Sequence, residues 1–126
     1  MASGSVPSAL AEVDRARIAA LRRACAAPGA LEEVVSDFVD SGIERLEGLR
    51  SALAAGDAGA VVQVAHVLAG SSAMIGLPAL ARLAGELESR VRAGGLERAP
   101  ALTAALVASF PRAVRSLRQA IGDRAQ

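Results

Sequence analysis

Lysine, tryptophan and tyrosine are absent from this 126-residue chain, which holds one cysteine, one histidine and two phenylalanines. Every one of its fourteen cations is arginine, which offers planar forks for phosphate and carboxylate but no titratable amine for Schiff-base or general-base chemistry. Cys25 alone can make neither an intrachain disulfide framework nor a cysteine metal site; it reads as a small apolar helix residue and suits a reducing compartment, so a cytoplasmic protein is expected. With one histidine there is no second imidazole or thiolate to complete a metal site, and none is expected. Scarce aromatics and short Val and Ile runs, set against abundant Ala and Leu, favour packed helices over sheet. Fourteen basic and thirteen acidic residues leave a formal charge of +1, too weak a field to gather nucleic acid or anionic lipid.

The chain is one domain's worth, and 52% apolar residues suffice for a single core. Its start, MASGSVPSAL, lacks a charged segment followed by an apolar one and does not read as a secretory signal. Residues 1–12 are expected to be a flexible lead, 13–122 a helical bundle and 123–126 a tail. No Asp, Glu, Lys or Arg occurs from Ala58 to Ala81, a run long enough to span a bilayer. Gln63, His66, Ser71, Ser72, three glycines and Pro78 interrupt it, and amphipathic segments flank it. A central buried helix is the expected reason for the missing charges, without membrane insertion.

Periodicity divides the chain into five helices. The first runs from about Asp14 to Ala26 on Ile18, Leu21 and Cys25, and stops at Pro28-Gly29. The second, Ala30 to Ala55, gathers Leu31, Val34, Val35, Phe38, Gly42, Leu46, Leu49 and Leu53 on one side, away from Glu32, Glu33, Asp40, Glu44 and Glu47. Gly56 is a helix stop and Asp57 an N-cap, so the third helix, Ala58 to Ile75, follows almost without a loop. Gly76 ends it and Pro78 opens the fourth, which presents Leu80, Leu83, Ala84, Leu87 and Val91 before Gly94-Gly95. The fifth, Ala99 to Ile121, turns Leu102, Leu106, Phe110, Ala113, Leu117 and Ile121 inward, with a kink or break expected near Ser109 ahead of Pro111. Short links between long amphipathic helices predict an all-α fold, an up-down four-helix bundle with an additional short N-terminal helix.

At 100° per residue, Val61, Val64, Leu68 and Ile75 share one side of the third helix and His66 points almost opposite. Its own side holds Gly59, Val62, Gln63, Ala69, Gly70 and Ala73, all small or uncharged. Helical side chains lean towards the N-terminus, so positions 69 and 70 would cover the imidazole; here they are Ala and Gly. A glycine inside a helix costs about 1 kcal/mol relative to alanine, and access to the ring by a partner's backbone and a phosphoryl group would explain it. A neutral ring nitrogen is nucleophilic near neutral pH and its N–P bond stays reactive enough to pass the group on. Phosphoryl transfer is mostly positioning and charge stabilisation, which a partner can supply. A tolerated surface histidine is the plain alternative.

The segment Ala65-His66-Val67-Leu68-Ala69-Gly70-Ser71-Ser72, followed by Gly76, Leu80, Leu83 and Leu87-Glu88, resembles the histidine-containing phosphotransfer (HPt) family. That family's pattern is Ala-His-x-Leu-Lys-Gly-Ser-Ser, then Gly, then a leucine-spaced helix closing in Leu-Glu. The resemblance implies phosphorylation on His66 and a docking surface that Gly70 leaves clear, with Val62, Gln63, Ala69 and Ala73 around it. It also implies that Glu88, from the neighbouring helix, hydrogen-bonds the ring and sets its tautomer; an ordinary solvated glutamate would look the same in sequence. Ala69 departs from the family's lysine. Arg45, which interrupts the apolar stripe of the second helix, is a candidate compensating cation, or a long stem snorkelling to water. Ser71 and Ser72 either bond back to carbonyls four residues earlier or meet the partner.

The expected function is a phosphoryl carrier in a two-component phosphorelay, with no nucleotide site of its own, accepting phosphate on His66 from a receiver aspartate and passing it to another receiver. No cofactor of its own is implied, and Mg²⁺ is expected on the receiver. Receiver domains and a hybrid histidine kinase are the expected partners, and the chain is expected to be monomeric. The alternative is a non-phosphorylated adaptor that binds a receiver or kinase domain. A self-phosphorylating kinase core is disfavoured because the sequence carries no glycine-rich nucleotide motif.

Overall fold

The computed structural model describes residues 12–122; the expected 123–126 tail and all but the last residue of the 1–12 lead lie outside them. Five helices make up the described fold, which contains no strand: α1 Arg15–Ala24, α2 Ala30–Ala54, α3 Ala58–Met74, α4 Pro78–Gly94 and α5 Ala99–Gly122. None of them is long and apolar enough to cross a membrane.

The boundaries follow from local chemistry. Asp14 and Asp57 accept the Arg17 and Ala60 amides at 3.1 and 3.0 Å, capping α1 and α3, and Pro78 occupies the first turn of α4. Where α2 and α3 end, Gly56 and Gly76 sit at φ +67° and +91°, in the left-handed region where a Cβ is penalised. The next amides, of Asp57 and Leu77, bond back to Ala52 and Ser72 at 2.9 Å, closing each helix so tightly that the chain must reverse.

Helix α2 packs against α3 and α5, α3 most extensively against α4, and α4 against α5, so the four long helices enclose one core. Leu49, Leu68, Leu87, Leu106 and Leu117 lie at its centre, essentially without solvent exposure. Short α1 reaches two places at one end of these helices. Asp14 N–H donates to Gly76 C=O at 2.8 Å and Arg17 Nε to Met74 C=O at 2.8 Å. Arg22 donates to the Ala120 and Ile121 carbonyls at 3.2 and 2.7 Å, satisfying groups that the end of α5 leaves open.

Of the kink or break expected near Ser109, the break does not occur: α5 continues through Pro111. Pro111 is exposed while Phe110, Ala113 and Val114 beside it are buried, so inward packing holds the helix where one backbone bond is missing. Burial explains only part of the charge-free run. Its α3 half exposes Gln63, His66, Val67, Gly70, Ala73 and Met74, so one face of α3 is uncharged although wet.

Gly42 has a packing reason. A Cβ built there would lie 2.5 Å from Cζ of Phe110, a buried ring that also meets Phe38 with centroids 5.8 Å apart. Gly42→Ala is therefore expected to destabilise by about 1–2 kcal/mol despite its better helix propensity. Thermal unfolding should show a Tm lower by about 5 °C; an unchanged or raised Tm would contradict this packing.

Candidate functional site

His66 stands near the middle of α3 with its side chain 72% exposed. Its Nδ1 lies 3.2 and 3.1 Å from the two carboxylate oxygens of Glu88 on α4. Helix α4 brings Glu88 here because Leu87, one residue earlier, is fully buried and Ala84, one turn earlier, is buried against the core. The Glu88 side chain is only 17% exposed, in the seam between the helices. An ionised carboxylate only accepts hydrogen bonds, so the Nδ1 facing it carries the proton. The neutral ring then bears its lone pair on Nε2.

Sequence reasoning overlooked Arg92. One turn after Glu88, its Nε and Nη2 reach the same Oε2 at 3.1 and 2.9 Å. The four-residue spacing Glu88 to Arg92 is the signal that could have revealed it. The Arg92 guanidinium, and after it the hydrogen bond and charge of His66, hold the Glu88 carboxyl below its ordinary value of 4.5, against partial desolvation that pushes the other way. Because the folded value is depressed, the contribution of this carboxylate is complete above 4.5 and disappears as the pH falls through the lower folded value. The ¹³C shift of Glu88 Cδ is thus expected to titrate below 4.5 and to move up in Arg92→Ala. A midpoint at the ordinary value in both proteins would show that the contact is not held in solution.

A surface hollow of about 390 Å³ adjoins the ring, lined by Val62, Gln63, Val64, His66 and Val67 of α3, Arg45 of α2 and Arg92 of α4. Of the residues proposed for access, it gathers Val62 and Gln63 with His66. Ala69, Gly70 and Ala73 are not part of its lining; they continue the surface on the C-terminal side of the ring, with Gly70 and Ala73 exposed and Ala69 half-buried against the core. A Cβ on Gly70 would meet nothing within 4 Å, so no packing inside the chain requires the glycine. Val67, 43% exposed, was not singled out from the sequence because its apolar side chain looks like core.

Ser71 Oγ donates to Val67 C=O at 3.0 Å, the back-bond that was one of its two alternatives. Ser72 differs: it is fully buried, and its hydroxyl has no hydrogen-bond partner among the described residues. Among those residues no group of three His, Cys, Asp or Glu side chains is gathered for a metal ion.

The family model described as Hpt domain matches residues 33–123. The crystal structure of histidine-containing phosphotransfer protein B (HptB) from Pseudomonas aeruginosa PAO1 is similar at 32% sequence identity and a TM-score of 0.79, covering 90% of this chain and 97% of that one. No curated protein is similar enough in sequence to match.

Proposed function

The chain belongs to the Hpt domain family, and on that premise we propose that it is a phosphoryl carrier whose acceptor atom is His66 Nε2. One observation carries the assignment: Glu88 engages Nδ1 and leaves the rest of the ring exposed on a face of α3 whose own residues are uncharged. The lone pair of Nε2 attacks phosphorus of a receiver's aspartyl phosphate. The N–P bond forms as the acyl P–O bond breaks, the aspartate leaves as carboxylate, and the Nδ1 proton remains facing Glu88, whose charge balances the imidazolium. Return to a second receiver reverses these steps.

The receiver supplies its carboxylate cluster and Mg²⁺, and the carrier needs no cofactor. Docking falls on the face around His66, with Gly70 and Ala73 leaving room, Val62 and Gln63 bordering the ring and Ala69 in place of the family's lysine. Receivers and a hybrid kinase are the partners, with no role for nucleic acid, in a monomeric cytoplasmic protein. The four long helices run up-down-up-down, supported by the tight reversals at Gly56 and Gly76 and by α1 lying where α3 and α5 both end.

Incubation with a receiver domain charged by acetyl phosphate in Mg²⁺ is expected to place acid-labile, base-stable label on the chain. Ala69 favours a second reading, a non-phosphorylated adaptor. Receiver binding without label, surviving His66→Ala, would establish that reading and remove the carrier.

A further inference from the structure

If His66 accepts phosphate, two negative charges arrive on a surface where position 69 offers no cation. The hollow beside the ring provides one from another helix. Arg45 of α2 lines it together with His66, Val62, Gln63 and Val67. Arg45 is half-buried and makes neither a hydrogen bond nor an ion pair among the described residues. Arg92, on the opposite wall, is in a different position: its guanidinium is engaged by Glu88 at 2.9 and 3.1 Å and serves to hold that carboxylate. Val62, Val64 and Val67, which share the hollow with Arg45, are uncharged and offer its guanidinium no counter-charge.

The His66 side chain leans towards the N-terminus of α3, hence towards Val62 and Gln63, which line the same hollow. A phosphoryl group on the exposed ring nitrogen would enter the side of the site that Arg45 borders. The side bordered by Ala69 and Gly70 stays open for the receiver.

We infer that Arg45 is the phosphoryl-binding cation of this carrier, donating from α2 to the oxygens of the group on His66 and replacing a lysine at position 69. The inference rests on the phosphoryl-carrier reading above. A guanidinium bonded to a phosphoryl dianion stabilises the phosphorylated carrier relative to the free one. Its signature is therefore in the equilibrium distribution of phosphate between receiver and carrier, and not only in the rate at which the two meet.

The test uses the full chain and one charged receiver, both dilute enough to be mostly unbound. The ratio of phosphocarrier to phosphoreceiver is followed until it is constant, in wild type, Arg45→Ala, Arg45→Lys and the double variant Arg45→Ala/Ala69→Lys. Arg45→Ala is expected to shift the ratio about tenfold towards the receiver, the scale of one charge-assisted hydrogen bond. Arg45→Lys should recover most of the shift. The double variant should recover it as well, because the cation then comes from the position the family uses. Added salt should narrow the difference. A residue that only shaped the docking surface would slow the approach to equilibrium and leave the final ratio unchanged. An unchanged ratio in Arg45→Ala with a labelled wild type would overturn the role of Arg45 and leave His66 as carrier; a wild type that takes no label removes both readings.

Discussion

His66→Gln is expected to take no acid-labile label from a charged receiver while unfolding within about 0.5 kcal/mol of the wild type. The stability half follows from exposure: the side chain is 72% solvent-accessible and packs into no cavity, and surface substitutions of that kind are usually nearly neutral. The activity half follows from chemistry. Glutamine can still offer an amide to Glu88 but has no nucleophilic lone pair on nitrogen, so no N–P bond can form. Circular-dichroism melts and transfer assays on the same preparation separate the two. Retained label on His66→Gln would place the acceptor elsewhere. A large loss of stability would show that the ring is more deeply engaged with the fold than its exposure implies.

Gly70→Gln should move stability and transfer in opposite directions. Within α3 the glycine is a poor helix former, and the space into which a Cβ would project is open, so a better helix former there should add about 0.5–1 kcal/mol to stability. The new side chain leans back towards the ring one turn earlier, onto the path a receiver must take. In-line transfer tolerates little displacement, and an offset of about 1 Å can cost 10²-fold, so transfer is expected to fall at least about that far. The loss should lie in the receiver-dependent rate, with Glu88 and Arg92 still paired as judged by the Cδ titration. A variant that is both more stable and fully active would show that Gly70 does not face the docked partner. A variant that is less stable would reveal a packing constraint on the glycine that the open space around it does not suggest.

The helices were legible in sequence because their start and stop signals are local. Asp57 caps α3, Gly56 and Gly76 take the left-handed conformation that stops a helix, and Pro78 opens α4 at its first turn. The inward residues followed from the 3.6-residue period with small departures: Val34 on α2 is 36% exposed, and Leu53, Val64, Leu83 and Leu102 are half-buried rather than buried. These lie at the margins of their stripes, where the width of the neighbouring helix decides exposure. A break at Pro111 is avoided for a related reason. Local preference argued for a break, and the packing of Phe110, Ala113 and Val114 overrode it.

The site divides along the same line. The outward direction of His66, the bare flank at Ala69 and Gly70 and the cap-to-cap extent of α3 all reside in one segment, and a one-dimensional period suffices to read them. The approach of Glu88 was suggested by resemblance, but its two contacts with Nδ1 depend on how α4 packs against α3. The lock that Arg92 adds to Glu88 was within reach of an i, i+4 reading and was overlooked. The position of Arg45 could not be read from its sequence, since it lies on α2, and only the packing of α2 against α3 puts it on the same hollow as His66. Sequence by itself determined the helices and the orientation of the histidine, because hydrogen bonding and periodicity act over a few residues. Tertiary structure decided how closely charges from α2 and α4 approach that histidine, because contacts between helices depend on how their side chains interlock across the core.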